Sequence, residues 1–313
     1  MQMGKLIDEY KDWRSFKIKL GSLSGYDLTL RSFCVFLHNP NIEEIRVNDI
    51  TLWFDLHRQL GWDDNTLIKK GVTIKKFLEY CQHQKYEVMD PWLVPMPKQD
   101  LKIPRVCAED EYHKLLEMAK RDTLTKGARN EAIIRMLWDT GARNNEILSL
   151  NVNDMDISSK QTVIKTEKSV NRRPFRQIFW TQETSEALAR WIEIRSDFEK
   201  HRVFKDSEAL FISILGRKSG QRISIAGVGE FLRQYSRKCD IFPVANAHSL
   251  RHHMGQDLSN GGANNSQISS ILGHSNLSSS YIYTMLNNKD AESFYRKHKA
   301  KTFMEDNVEV IHN

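Results

Sequence analysis

Residues 90–104, DPWLVPMPKQDLKIP, divide the chain. Four of the seven prolines in the 313-residue sequence (Pro91, Pro95, Pro97 and Pro104) fall in this stretch. Proline removes a backbone donor and blocks helix at the residue before it, so the stretch reads as extended. Helical periodicity resumes on both sides, and residues 91–107 read as a linker between an N-terminal domain, 1–90, and a larger domain, 108–302, with a tail at 303–313. At about 150 residues per domain, two domains is also what the length implies.

Upstream of the linker the pattern is all-helical. Ser24 is placed to cap a helix whose Tyr26, Leu30, Phe33 and Leu37 recur at helical spacing, stopped by Asn39-Pro40. Asp49 opens a second helix with Ile50, Trp53, Phe54 and Leu60 apolar. A third, from Asp64 to Gln84, buries Leu67, Ile74, Leu78 and Cys81 and shows Lys69, Lys70, Lys75 and Lys76 elsewhere. Downstream the pattern mixes. Helices fit 109–121, 128–140 and 143–149, and residues 155–180 alternate strand-like and turn-like runs, the mark of a small antiparallel sheet. Thr181 caps a helix to Ser196, GRKSGQR at 216–222 is a basic loop, and the remainder to 302 is helical.

The 46 Lys and Arg exceed the 40 Asp and Glu by six, and the whole excess lies beyond residue 95. That is a weak pointer to a nucleic-acid partner. No apolar run approaches the roughly 20 residues that cross a bilayer. The start MQMGKLIDEYKDW has no apolar core of a signal peptide, which points to the cytoplasm. Cys34, Cys81, Cys107 and Cys239 form no CxxC pair, against a zinc ribbon or a disulfide framework.

Four clusters carry possible chemistry: Arg143 in DTGARNNEILSL, Lys165 in VIKTEKSVNRRPF, His248 and Arg251 in HSLRHH, and His274 with Tyr283 in LGHSNLSSSYIYT. Singly each has an ordinary explanation, as a surface pair, a solvated turn or a half-buried ring. Together they supply a metal-free phosphodiester exchange. Two arginines hold the non-bridging oxygens bidentately without titrating. A tyrosine hydroxyl serves as nucleophile, a lysine as acid for the leaving 5′ oxygen, and the two histidines handle protons and hydrogen bonds. A zinc site is the rival reading of His248 and His252, but the zincin pattern needs glutamate where Ser249 stands.

Over nearly its whole length the sequence resembles the tyrosine recombinase family, the Xer-type recombinases and phage-type integrases. TGARNNEILSL matches the first arginine box, assigning Arg143 and, as its supporting glutamate, Glu146. HSLRH matches H-x-L-R-H, assigning His248 and Arg251. LGHSNLSSSYIYT matches the last box, with His274 and, nine residues on, the nucleophile Tyr283 rather than Tyr281. The family's lysine lies in the turn of its small sheet; KTEK replaces the usual K-T-G or G-K-G, so Lys165 fits the K-T form and Lys168 is the alternative.

The resemblance implies a mainly α fold with a small antiparallel β-sheet: a helical core-binding (SAM-like) domain plus a mixed α/β catalytic domain. It implies duplex DNA with inverted-repeat sites as partner, a homo-tetramer on DNA from a possible monomer in solution, and association with the nucleoid. It implies a 3′-phosphotyrosyl intermediate, a Holliday junction, and no metal or organic cofactor. Lys69, Lys70, Lys75, Lys76, Arg172, Arg173, Arg217, Lys218 and Arg222 then become expected phosphate contacts. A type IB topoisomerase and a catalytically silent DNA-binding protein are the alternatives. The segment KDAESFYRKHKAK, 289–301, is expected to form a helix docking in cis or on a neighbouring subunit.

Overall fold

The computed structural model describes residues 1–17, 20–99, 103–166, 174–200, 206, 208–273 and 283. The chain forms two compact units, Met1–Lys102 and Ile103–Asn313.

The first unit contains α1 (Met3–Ser15), α2 (Leu20–Phe36), α3 (Val47–Gln59) and α4 (Asp64–His83). Leu6 and Tyr10 of α1, Phe33 of α2, Trp53 of α3, and Ile74 and Phe77 of α4 meet in its core. Asp63 caps α4, its carboxylate accepting from Thr66 N–H at 2.8 Å. Helix α2 begins four residues before Ser24, whose hydroxyl donates to the Gly21 carbonyl at 3.0 Å. Ser24 is therefore an interior residue and not the expected cap, because Leu23 already belongs to the buried face. His38 and Asn39, at φ 56° and 54°, turn the chain after α2, and the Asn39 amide oxygen accepts from Gly4 N–H at 2.9 Å.

The proline-rich stretch is only partly extended. Asp90 caps a 3₁₀ turn at Pro91–Leu93, and Pro91 and Val94 are buried in the first unit. Proline at the first position of such a turn lacks only a donor that would have had no partner.

The second unit contains α5 (Glu109–Arg121), α6 (Leu124–Thr140), α7 (Asn144–Leu148), β1 (Gln161–Lys165), β2 (Phe175–Phe179), α8 (Gln182–Lys200), α9 (Ile225–Lys238), α10 (Ala247–Asn260) and α11 (Asn265–Leu272). Helix α6 is buried almost all round and packs on α5, α8 and α10, which makes it the central helix. Strands β1 and β2 pair antiparallel, with Ile164 opposite Arg176 and Lys165 opposite Phe175. Asp139 of α6 accepts from Thr181 N–H and from the Thr184 hydroxyl, at 2.8 and 2.7 Å, which fixes the end of the hairpin and the start of α8 on the central helix. Helix α8 runs four residues past the expected Ser196.

No helix among the described residues is long and apolar enough to cross a membrane.

Candidate active site

Helix α6 ends at Gly141, which takes φ 55° in the left-handed region. A Cβ there would stand 2.5 Å from Leu272 Cδ2, so both backbone and space call for glycine. This turn puts Arg143 at the N-cap of α7 rather than inside it. Glu146, one turn on, has a side chain 0 % exposed. Its carboxylate accepts from Arg143 N–H and from Arg143 Nη1, both at 2.9 Å. The pair is thus a buried anchor, unlike the usual surface pair at this spacing. Arg143 Nη1 also donates to the Gly273 carbonyl at 2.9 Å, which leaves Nη2 and Nε without a partner among the described residues.

Arg251 lies on α10 and is 2 % exposed. Its Nη1 donates to the Gly141 carbonyl at 2.6 Å and its Nη2 to the Leu272 carbonyl at 2.8 Å. Burial, reinforced by the positive charges of Arg143 and Arg176, pushes its guanidinium down to about 9. The two arginines are therefore fixed by consecutive carbonyls, Leu272 and Gly273, of the turn that closes α11.

Tyr283 packs on the same helix α10. It is 1 % exposed, among Ile268, Leu272, Met254 and Leu258. Its ring lies flat on Gly255, where an added Cβ would come 2.5 Å from the ring. Its hydroxyl is 2.5 Å from Nδ1 of His252. Burial raises the phenol above its usual range, against the opposing pull of Arg251. Burial, with His248 and Arg251 beside it, holds the His252 imidazole down at about 4, so it is neutral and able to accept the tyrosine proton in this bond. The His248 ring meets that of His252 edge-on, with centroids 4.2 Å apart. His248 stands at the solvent edge of α10, yet the atoms crowding its ring, then Arg251 and Arg143, keep it below the ordinary imidazole range.

Two residues of this site were not singled out for it in the sequence. Arg176 of β2 donates from Nη2 to Glu146 at 2.8 Å and from Nη1 to the Ile271 carbonyl at 2.8 Å. Period-2 alternation does place Arg176 on the face of the buried Ile178, and that is the available signal. His252 was weighed only as a zinc ligand. Lys165 is exposed at the end of β1, on the hairpin that Arg176 ties to Glu146. His274, Lys168, Tyr281, Arg172 and Arg173 lie outside the described residues, as does the segment 289–301.

The expected phosphate contacts divide. Lys69 and Lys76 are exposed on α4, roughly 20° apart at 100° per residue. Lys70 is half-buried, donating to the Thr29 hydroxyl at 2.9 Å, and burial lowers its pKa. Lys75 lies 3.4 Å from the Trp92 ring centroid. Arg217 and Lys218 are exposed in a 3₁₀ turn. Arg222 is tied into the fold. It bonds Asp206 through Nε, the Leu148 and Leu150 carbonyls through Nη1, and Asn151 through Nη2, at 2.6–3.0 Å. Four of its five N–H groups are thus directed inward, because the 211–222 hairpin needs an anchor to the end of α7.

Residues 105–290 match the model of the phage integrase family. Tyrosine recombinase XerC of Bacillus pumilus is 27% identical over 287 residues, covering 90% of this chain and 91% of its own. Tyrosine recombinase XerD of Staphylococcus epidermidis is 26% identical, covering 94% of this chain and 98% of its own. Among solved structures, XerH site-specific recombinase bound to palindromic difH substrate in a post-cleavage complex has a TM-score of 0.71 at 19% identity, covering 94% of this chain and 83% of that one. The matched region contains Arg143, Glu146, Arg251 and Tyr283, and the chain belongs to the phage integrase family, as a tyrosine recombinase.

Proposed function

We propose that the protein is a site-specific DNA recombinase that works through a covalent 3′-phosphotyrosyl intermediate. The observation that carries this reading is the convergence of Arg143 and Arg251 on the Leu272–Gly273 turn, with the Tyr283 phenol packed on the helix that bears Arg251. In the reaction the Tyr283 oxygen attacks phosphorus, the bond from phosphorus to the 5′ oxygen breaks, and the phosphoryl group is left on tyrosine. Arg143 and Arg251 hold the non-bridging oxygens, and His248 assists removal of the tyrosine proton. Lys165, or Lys168 in the same turn, protonates the leaving 5′ oxygen, and His274 adds a hydrogen bond. Attack by the 5′ hydroxyl of a partner strand reverses the step and frees the tyrosine.

Two such rounds pass through a Holliday junction, in a tetramer on paired inverted-repeat sites. In this reading the first unit, through Lys69 and Lys76, and the second, through Arg217 and Lys218, grip the duplex backbone, and the enzyme acts in the cytoplasm at the nucleoid. The relatives named as recombinases, one of them in a complex with its DNA substrate, support it.

The test uses nicked duplexes enriched from a random pool by binding to the protein. Wild type is expected to form a covalent protein–DNA adduct, Tyr283→Phe none, and Tyr281→Phe an adduct as wild type does. Adduct formation by Tyr283→Phe overturns the assignment. Relaxation of supercoiled plasmid with no exchange of flanking DNA would place the enzyme with strand-swivelling topoisomerases instead.

A further inference from the structure

A cavity of about 320 Å³ opens between the start of α6, the tip of the 211–222 hairpin and the start of α9. Lys126, Arg129, Arg217, Lys218 and Arg222, the last paired with Asp206, line it, and among the described residues no carboxylate does. Lys126, Arg217 and Lys218 have no ion-pair partner among the described residues. Arg129 is 8 % exposed and is held only by neutral groups, the Asn130 amide oxygen at 2.8 Å and the Ile212 carbonyl at 3.0 Å. An acid, Asp122, is reached only through Asn130 and the Tyr235 hydroxyl, a chain of two further hydrogen bonds of 2.8 Å each.

A buried guanidinium with no carboxylate against it is costly. Burial accordingly pushes Arg129 down to about 10, with Tyr235 and Asp122 only partly restoring it. One N–H on each Nη of Arg129 has no partner among the described residues, so the guanidinium keeps two donors for an oxyanion.

Neither Arg143 nor Arg251 lines this cavity. Arg222, Ile223 and Ser224 also line a neighbouring cavity of about 640 Å³, together with Asn145, Ser149 and the carboxylate of Glu208, so the cation-only lining belongs to the first cavity alone. We infer that this pocket, floored by Arg129 and rimmed by Lys126, Arg217 and Lys218, seats a second backbone phosphate of the duplex, away from the one that is cleaved. The inference rests on the recombinase reading above and adds to it a site for a group that does not react.

The experiment pairs protein variants with uncharged phosphates. Arg217→Gln/Lys218→Gln removes two exposed cations and leaves every described hydrogen bond intact; Arg129→Gln removes the floor. Binding to the enriched duplex is followed by fluorescence anisotropy across a salt series, and again with methylphosphonates placed one position at a time. The rim variant is expected to flatten the slope of log K against log salt by about 0.9, the value for one phosphate contact. One methylphosphonate outside the cleaved linkage should weaken wild type about tenfold and the variants clearly less. An unchanged slope with additive losses at every position overturns the pocket. So does Arg129-dependent binding of inorganic pyrophosphate without any such coupling, which would make it a small-anion site. Adduct formation by wild type on the same duplex separates the failures: with an adduct and no coupling only the pocket falls, and without an adduct the recombinase reading falls too.

Discussion

Replacing Glu146 by glutamine tests the frame of the site at its most heavily used atom group. The carboxylate is 0 % exposed and takes donors from two arginines, Arg143 and Arg176, which are themselves 22 % and 9 % exposed. Glutamine keeps the shape, removes the charge, and turns an N–H₂ toward one guanidinium, donor against donor. Breaking a buried pair from one side costs about 3–5 kcal/mol, because a charge is left uncompensated. For a unit of this size about 1 kcal/mol moves Tm by roughly 2–4 °C, so Glu146→Gln should melt roughly 6–20 °C lower. Loss of a positioned donor to a developing oxyanion costs about 10²–10³ in rate, and adduct formation on the nicked duplex should fall by about that factor. A double variant, Glu146→Gln/Arg176→Met, should recover part of the stability by removing one uncompensated cation, yet none of the rate, since Arg143 still lacks its holder. A Glu146→Gln protein within about 1 kcal/mol of wild type by urea unfolding, and within threefold in adduct formation, would refute the reasoning.

Gly255→Ala sets a methyl 2.5–2.8 Å from three atoms of the Tyr283 ring; overpacking of about 1–3 kcal/mol, offset by about 1 kcal/mol of helix propensity, should drive the ring out, read as faster nitration of Tyr283 by peptide mapping. The His252 imidazole is held at about 4 in the fold, against an ordinary value near 6.5. Its contribution to stability is therefore complete above pH 6.5 and is lost as pH falls toward 4, because the unfolded chain takes up the proton first. His248 and His253 are also held low and slope the same way, so the measurement is the difference in urea midpoints between wild type and His252→Gln, expected to narrow on acidification. If Lys165 is the acid, Lys165→Ala slows cleavage about 10²–10⁴-fold, and a 5′-bridging sulfur, whose thiolate leaves without a proton, restores it; rescue of Lys168→Ala alone would move the role to Lys168.

Much of this was legible because local signals and tertiary need agreed. The glycine after α6 closes the helix where TGAR suggests, and Leu67, Ile74, Leu78 and Cys81 form the buried face of α4 that their spacing requires. Ser24 misled because a good cap residue is also tolerated inside a helix whose apolar face starts earlier. Basic residues in a loop look alike in sequence, and only the hairpin's fold reveals the four inward hydrogen bonds of Arg222. Arg129, and Arg176 apart from the alternation that puts it on the face of Ile178, were hidden for the converse reason. A charge is expected outside, and nothing local says that Asn130 and Ile212, or Glu146 and Ile271, will meet those guanidiniums inside.

The charge balance of the site bears on how it accelerates the reaction. Arg143, Arg176 and Arg251 face one carboxylate, Glu146, and their remaining anchors are neutral carbonyls of Gly141, Leu272, Gly273 and Ile271. Carbonyls fix a guanidinium in place without cancelling it. The described cluster thus holds an excess of two positive charges, and Arg251 is held low first by burial and then by the charges of Arg143 and Arg176. In the proposed reaction a phosphodiester brings one negative charge, whereas the five-coordinate arrangement formed as tyrosine oxygen adds brings about two. The site is therefore closer to neutral around the transition state than around the bound substrate, and interactions stronger there than in the ground state are the ones that raise the rate. Glu146 is what sets that balance: a second carboxylate in the cluster would favour the resting diester, and none would leave Arg143 and Arg176 with nothing to hold them together.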